Sequence, residues 1–433
     1  MSRQDESQMG NPTFDAVIVG GGPAGSTMGT LLARNGLKVA IFEQDRFPRF
    51  HIGESLLPAN VPIFDRLGCH DAVRQAGFIT KPGATLYDEY EGRACKTFIF
   101  PPLSFQPASA YNVVRAEFDD LLLRHAEQVG TTVYREHIVK HTHRESDKVT
   151  IQVQAPDGRL HEVQASLLID ASGRAAFAAK AIGKREPLPE LGKVAIFAHF
   201  RTMKREPDIP EGNIRLYLVP QGWLWHIPFA NRMDSVGGVL HAQVVKARSG
   251  SIEALFEEIL AASPRLTNAL TGAQRMTPVH TAANFSYRVA PCVADRYVAI
   301  GDASGFIDPV FSTGVFLAMR SAELAASDIL RAFAAQDFSA RRFRRYARRL
   351  HRGTAAFLPF IQRFYEPAFL DLLFTPTPPW QLDKPVLWVL SGAAFDHRPL
   401  WVRLGLNLFF GIVQMRRAAR RFRGQPTASR RSW

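Results

Sequence analysis

One stretch, residues 15–43, constrains what this chain can fold into more than any other. Val17, Ile18 and Val19 form a short apolar, β-branched run, the pattern of a strand buried on both faces. Gly20, Gly22 and Gly25 follow with the spacing G-x-G-x-x-G, and a helix-like run continues to Arg34. Asn35 and Gly36 turn the chain, and residues 38–42 return as a second apolar strand ending on Glu43. The first glycine permits a tight turn, the second lets a pyrophosphate approach the backbone, and the third lets helix and strand pack closely. The helix N-terminus then aims unpaired N–H groups at the phosphates. Glu43 stands where an acid accepts hydrogen bonds from a ribose. Glycines at this spacing are a weak signal alone. With the strand, helix, turn and terminal acid they predict a nucleotide-binding turn in preference to a glycine-rich loop of an ordinary α/β core.

The chain has 433 residues, enough for a large core and two or three packed regions. Its 46% hydrophobic and 21% charged content is ordinary for a folded protein. Residues 1–11 are polar and form no charged-then-apolar leader. No apolar run reaches the roughly 18 residues of a membrane span, so no transmembrane segment is expected. Cys69, Cys95 and Cys292 lie far apart and match no metal spacing, so no metal is expected and free thiols in a cytoplasmic protein are the simplest reading. The net charge of +13 gathers in two arginine-rich segments, residues 341–352 and 416–431. Such segments attract acidic partners, although a solvated helix face and a frayed tail also explain them. No nucleic-acid motif accompanies the charge, so a nucleic-acid partner is not expected.

Further along, residues 46–58 form a polar, glycine-containing loop whose Arg49 and Ser55 are candidates for cofactor contact. Residues 60–67 have helical spacing closed by Gly68. Pro82 keeps Lys81 extended, on a strand or loop. Arg115 sits where a strand feeds a helix, placed to reach a phosphate or to form a surface ion pair. Residues 132–163 suggest a hairpin or meander, and residues 167–174 a second buried strand beside the first. Residues 193–243 read as an antiparallel sheet with strands at 195–200, 214–219, 224–229 and 235–240. Within it Trp223, Trp225 and Ile227 alternate and share one face, a pattern that ordinary core packing also produces. Residues 250–270 read as one helical segment. A strand at 295–300 then delivers Gly301 and Asp302 to a loop, and Ser312, Thr313 and Gly314 precede a long helix at 315–335. Asp302 suits a sugar or ribityl hydroxyl, and the N–H groups near Gly314 suit an anion. The remainder reads as helical and aromatic-rich, covering the substrate side.

Two strand–glycine–acid elements with a sheet between them resemble the flavin enzymes of the p-hydroxybenzoate-hydroxylase type. In that resemblance the first element binds the ADP part of FAD and Asp302 the ribityl part. Trp223, Trp225, Ile227 and Pro228 match W-x-W-x-I-P, the signature of flavin-dependent halogenases. Lys81 stands where that family has its essential lysine, and Ser312, Thr313 and Gly314 match its halide-binding turn. The resemblance covers most of residues 14–365 and is nearest to the phenol and pyrrole halogenases, including those acting on carrier-protein-bound substrates. It implies an α/β fold: a glutathione-reductase-like FAD-binding Rossmann domain, an inserted antiparallel β-sheet substrate domain and a C-terminal helical region. The expected boundaries are 12–180 with 285–335 for the FAD domain, 181–284 for the sheet domain and 336–433 for the helical region with its basic tail.

The resemblance also implies a chemistry. Gly20, Gly22, Gly25, Glu43, Arg49, Ser55, Arg115, Gly301 and Asp302 would contact FAD, which arrives as FADH2 from a separate NAD(P)H-dependent flavin reductase and consumes O2. Chloride or bromide held by N–H groups at Thr313 and Gly314 would become hypohalous acid and travel through a tunnel to Lys81, which hydrogen-bonds it or becomes a haloamine. A neutral Lys81 requires desolvation, since burial lowers a lysine pKa. Trp223, Trp225, Ile227, Pro228 and Phe311 would wall the tunnel and the substrate. Tryptophan halogenases carry a glutamate immediately before Ser-Thr-Gly; here that position is Phe311, which suits a phenol, with pyrrole next. The substrate is expected to be an aromatic small molecule, free or tethered to an acidic carrier protein. No general base is evident in the sequence. An aromatic hydroxylase or flavin reductase using NAD(P)H directly, or a flavin-binding docking subunit without turnover, would share the fold. W-x-W-x-I-P and Lys81 argue against the first, and the intact Gly20, Glu43, Asp302 and Lys81 against the second.

Overall fold

A computed structural model describes residues 12–177, 182–188, 192–283, 286–395 and 398–424. The first sheet has eight strands, and Thr13–Val19 lies in its middle, parallel to Leu160–Asp170 on one side and Val39–Glu43 on the other. Tyr297–Ala299 extends it in parallel beyond Leu160–Asp170, and Thr132–Arg135 beyond Val39–Glu43. Val19 pairs with both Asp170 and Phe42, and Asp170 with Ala299, so these strands end at one edge. The Gly20 N–H donates to Phe42 O at 2.8 Å and the Ile300 N–H to Asp170 O at 2.9 Å. That edge therefore presents the glycine turn, Glu43 and the 301–302 turn together, at the carboxyl end of a parallel sheet where ligands bind. Helices Pro23–Ala33 and Gly314–Ala334 pack together on one face, around Met28, Ala325 and Ile329.

The second sheet also has eight strands. Lys193–Arg201, Met233–His241, Gly222–Pro228 and Ile214–Val219 follow one another in antiparallel pairs. Ile214–Val219 then pairs in parallel with Gly83–Asp88, which pairs with Lys96–Ile99. Two strands of this sheet thus come from residues 83–99, far before the expected start at 181. One face carries Trp223 and Trp225 into the largest apolar cluster; the other carries Leu224 toward helices Ile252–Ala261 and Pro264–Leu270. The single helix expected over 250–270 is two. Ser263 adopts extended dihedrals and its hydroxyl accepts the Leu266 N–H at 3.2 Å, while Pro264 has no N–H to continue the first helix.

The C-terminal region is helical: Ala340–Ala355, Leu358–Arg363, Pro367–Leu373, Asp383–Leu390 and Leu400–Phe422. It packs on the tryptophan face of the second sheet through Phe360, Phe364, Phe369 and Phe409. The expected tail beyond residue 424 lies outside the described residues. Among the described residues no helix is long and apolar enough to cross a membrane.

Candidate active site

A cavity of about 450 Å³ runs from the glycine edge of the first sheet to the tryptophan face of the second. At the glycine end Gly20 has φ +101°, and a Cβ on Gly25 would sit 1.9 Å from Gly20 O, so only glycine lets the helix approach the strand. Glu43 is buried and accepts the Gly21 N–H at 2.7 Å and the Asp45 N–H at 2.8 Å. Burial raises its pKa, against the pull of those two hydrogen bonds. Each carboxylate oxygen keeps a second lone pair.

The 46–58 loop is held against this end by charge. Arg115 forms a two-pronged pair with Asp119 at 2.7 and 2.8 Å, and its remaining nitrogen donates to Ile52 O at 2.6 Å. Arg49 meets the same carboxylate at 3.2 Å. Arg115 therefore shapes the loop while its charge faces the cavity. Asp302 lines the cavity from the opposite strand end; burial pushes its pKa up to about 6, with Arg115 and Arg174 pulling the other way.

At the far end Trp223, Trp225 and Ile227 form the wall, with ring centroids of the two tryptophans 5.9 Å apart. Trp225 Nε1 donates to Ser235 Oγ at 3.1 Å. Trp223 Nε1 donates to the Tyr365 hydroxyl at 3.1 Å, and that hydroxyl donates to Asp308 Oδ2 at 3.4 Å. Asp308 in turn accepts the Val310 N–H at 3.0 Å and so shapes the turn before Ser312. Ser312, at φ +58°, leads into helix Gly314–Ala334, whose first N–H groups have no acceptor within the helix. Ser312 and Gly314 both line the cavity.

Lys81 ends strand Ile79–Lys81 and is 1% exposed. Its Nζ donates to Leu56 O at 2.9 Å and lies 3.5 Å from Ser312 Oγ, over the Phe100 ring. Burial lowers its pKa to about 7, so the neutral amine is well populated near neutrality. Lys81 stands behind Ser312 and is not part of the cavity wall, nor are Gly25, Gly301, Thr313, Phe311 or Pro228. Phe311 turns toward Phe360 and Phe364 of the C-terminal helices, at 6.4 and 5.5 Å. The Pro228 carbonyl accepts from Asn112 Nδ2 at 3.2 Å.

The family model for tryptophan halogenases matches residues 101–369. The chain belongs to the flavin-dependent halogenases. A second model, for FAD dependent oxidoreductases, matches residues 15–184. The halogenase is 32% identical over 418 residues to a 1H-pyrrole-2-carbonyl-(peptidyl-carrier protein) chlorinase of Pseudomonas fluorescens, covering 91% of this chain and 92% of that one. It is 35% identical to the corresponding brominase of Pseudoalteromonas luteoviolacea, over 75% and 79% of the two chains. The solved structure of the flavin-dependent brominase Bmp2 superposes with a TM-score of 0.81 at 29% identity, covering 92% of this chain and 99% of the other.

The halogenase's own residues fit FAD. Its glycine edge leaves room where a Cβ would block a pyrophosphate, and Asp302 faces the cavity without a hydrogen bond to its carboxylate among the described residues. Ser55 Oγ is buried and has no partner there either. Several residues of the halogenase site escaped sequence reasoning. Glu54 is buried at the cavity wall, with His199 Nε2 2.6 Å from one oxygen and no partner for the other. Asp119, Asp308 and Tyr365 tie the loop, the turn and the wall together. Asp119 had a local signal, its position four residues after Arg115 on the helix Arg115–Gln128, and Asp308 had another, a capping acid directly before Pro309.

Proposed function

We propose that this halogenase installs chlorine or bromine on an electron-rich aromatic ring, a pyrrole carried as a thioester on a carrier protein. The observation that carries the chemistry is Lys81, buried, near-neutral and 3.5 Å from Ser312 at the end of the cavity. Bound reduced FAD, delivered by a separate NAD(P)H-dependent reductase, supplies the electrons with which O2 converts halide to hypohalous acid. The N–H groups of Thr313 and Gly314, where helix Gly314–Ala334 begins, hold the halide as oriented dipoles. Lys81, as a free amine, accepts the hydrogen bond of hypohalous acid or takes its halogen, and presents it to the ring. Trp223 and Trp225 keep the ring apart from the flavin end and shield the reagent from water.

Phe311 leaves the position before Ser312 without a carboxylate, so the ring itself must be electron-rich. On residues alone a phenol stands first; two relatives that are pyrrolyl-carrier-protein halogenases move the pyrrole ahead. The test supplies FAD, a flavin reductase, NADH and bromide, with a pyrrolyl thioester on a carrier protein and with free phenols. A bromine isotope pattern on the carrier-bound pyrrole, lost in Lys81→Met while flavin oxidation continues, is the expected result. An added oxygen without halogen would overturn the reading, and turnover of free phenols alone would restore the phenol.

A further inference from the structure

Helix Leu400–Phe422 is apolar on two opposite sides. Val402, Leu406, Phe409 and Val413 are buried against the body of the protein. On the far side Trp401, Leu404, Leu408, Met415 and Phe422 are exposed, by 50%, 59%, 41%, 64% and 94%. Gly411 and Ala418 complete the spacing, so the outer seam repeats at alternating intervals of three and four residues. A seam of that period is what a second helix packs against. An exposed apolar strip of this length also marks an interaction surface.

The helix's charge selects the occupant. Its 23 residues hold five arginines and no carboxylate. Arg417 and Arg420 pair with Glu366 and Asp371 of the protein's own body, while Arg403, Arg416 and Arg421 meet no carboxylate among the described residues. A second copy of the helix would bring only more arginine and no compensating acid. An acidic helix satisfies both the seam and the charge. On the inner side Phe410 lies 5.1 Å from Phe360, which lies 6.4 Å from Phe311 beside the halide turn. The helix is thus two ring contacts from the residue that precedes Ser312.

We propose that the outer face of helix Leu400–Phe422 docks an acidic, helical carrier protein that presents the aromatic ring. The proposal rests on the tethered-substrate reading above. The probe is an acidic peptidyl carrier protein bearing a pyrrolyl thioester; the free pyrrolyl thioester of pantetheine is the control. Two full-length double variants are compared with the unaltered enzyme: Leu404→Ser with Leu408→Ser, and Arg416→Glu with Arg421→Glu. All four side chains leave the cavity untouched, and FAD content and melting temperature check that both variants fold.

Each variant is expected to weaken carrier binding at least about tenfold, a loss of about 1.4 kcal/mol. Binding by the unaltered enzyme is expected to fall as salt rises, and the charge-reversed variant to lose that dependence. Turnover of the free thioester is expected to stay unchanged. Carrier binding and tethered turnover equal to the unaltered enzyme in both variants would overturn the docking face while leaving the tethered reading intact. A dimer that the serine variant splits, with carrier binding unaffected, would overturn it in favour of a second copy. An unaltered enzyme that halogenates only free rings would overturn both readings together.

Discussion

At the glycine end of the cavity the backbone forms the site: strand ends in register, a turn at Gly20 and a helix brought close by Gly25. At the other end side chains line it and back the lining. Side chains from four distant stretches meet there in two pairs, Lys81 3.5 Å from Ser312 and Trp223 3.1 Å from Tyr365. The first end is sensitive above all to added atoms, with charge pairs holding the 46–58 loop against it. The second depends on a protonation state and on hydrogen bonds shared between elements. Substitutions that separate these two sensitivities test the comparison.

The largest effect is expected at Lys81. Lys81→Met keeps the volume and removes the amine. Halogenation should fall about 10³-fold, within the range a positioned acid–base group contributes, while FAD still binds. The rate of the unaltered enzyme should rise with pH through about 7, where Lys81 loses its proton, and the residual rate of the variant should not. Stability supplies an independent check. The folded lysine titrates near 7 and the unfolded one near 10.5, so between those values the unfolded chain holds more protons and stability rises with pH. The penalty of the buried ammonium is present in full below pH 7 and fades by 10.5. Lys81→Met should therefore raise the melting temperature most in mild acid, with the gain shrinking in alkali. A gain independent of pH would show that Lys81 is not held near neutrality.

Next comes the glycine end. Gly25→Val places atoms where Gly20 O already lies 1.9 Å from an ideal Cβ, so the helix must retreat. Overpacking of this kind costs about 1–3 kcal/mol or more, and both melting temperature and FAD binding should fall. Gly22→Ala is the sharper instrument. Its Cβ would meet nothing closer than Arg49 Nη2 at 3.5 Å, so the apoprotein should melt unchanged. The methyl instead occupies the approach to a pyrophosphate, and FAD affinity should drop. Equal FAD affinity in Gly22→Ala and the unaltered protein, measured by flavin fluorescence, would remove the pyrophosphate from that turn.

The two ends also differ in how far they could be read from the chain. The glycine edge is local: strand, turn, helix and acid fall within residues 15–43, and their geometry follows from spacing and from glycine's freedom at φ +101°. The helix after Ser312 and the shared face of Trp223 and Trp225 were legible for the same reason, since period alone decides them. Partners across the fold were not. Periodicity says which face Trp223 occupies but not that its indole meets Tyr365, and nothing near Glu54 points to His199. The break at Ser263 and Pro264 carried a local cap signal inside an apolar helical pattern, and the stronger period hid it. The parallel pairing of Ile214–Val219 with Gly83–Asp88 is a crossover between distant segments that no local pattern encodes.

The smallest effect expected bears on the link that joins the wall to the turn. Tyr365→Phe removes the hydroxyl that accepts the Trp223 N–H and donates to Asp308. Leaving a buried donor without its acceptor costs about 1–3 kcal/mol, read as a lowered melting temperature. If the wall also keeps the reagent from water, the variant should form less halogenated product for each flavin oxidised, at unchanged FAD affinity. Trp223→Phe removes the donor and the need for an acceptor together, so it should cost less stability than Tyr365→Phe while losing more of the product yield. A fall in stability with yield intact in both variants would make the tryptophan wall a packing feature and leave the separation of ring from flavin to Phe306 and Ile227, which line the same cavity.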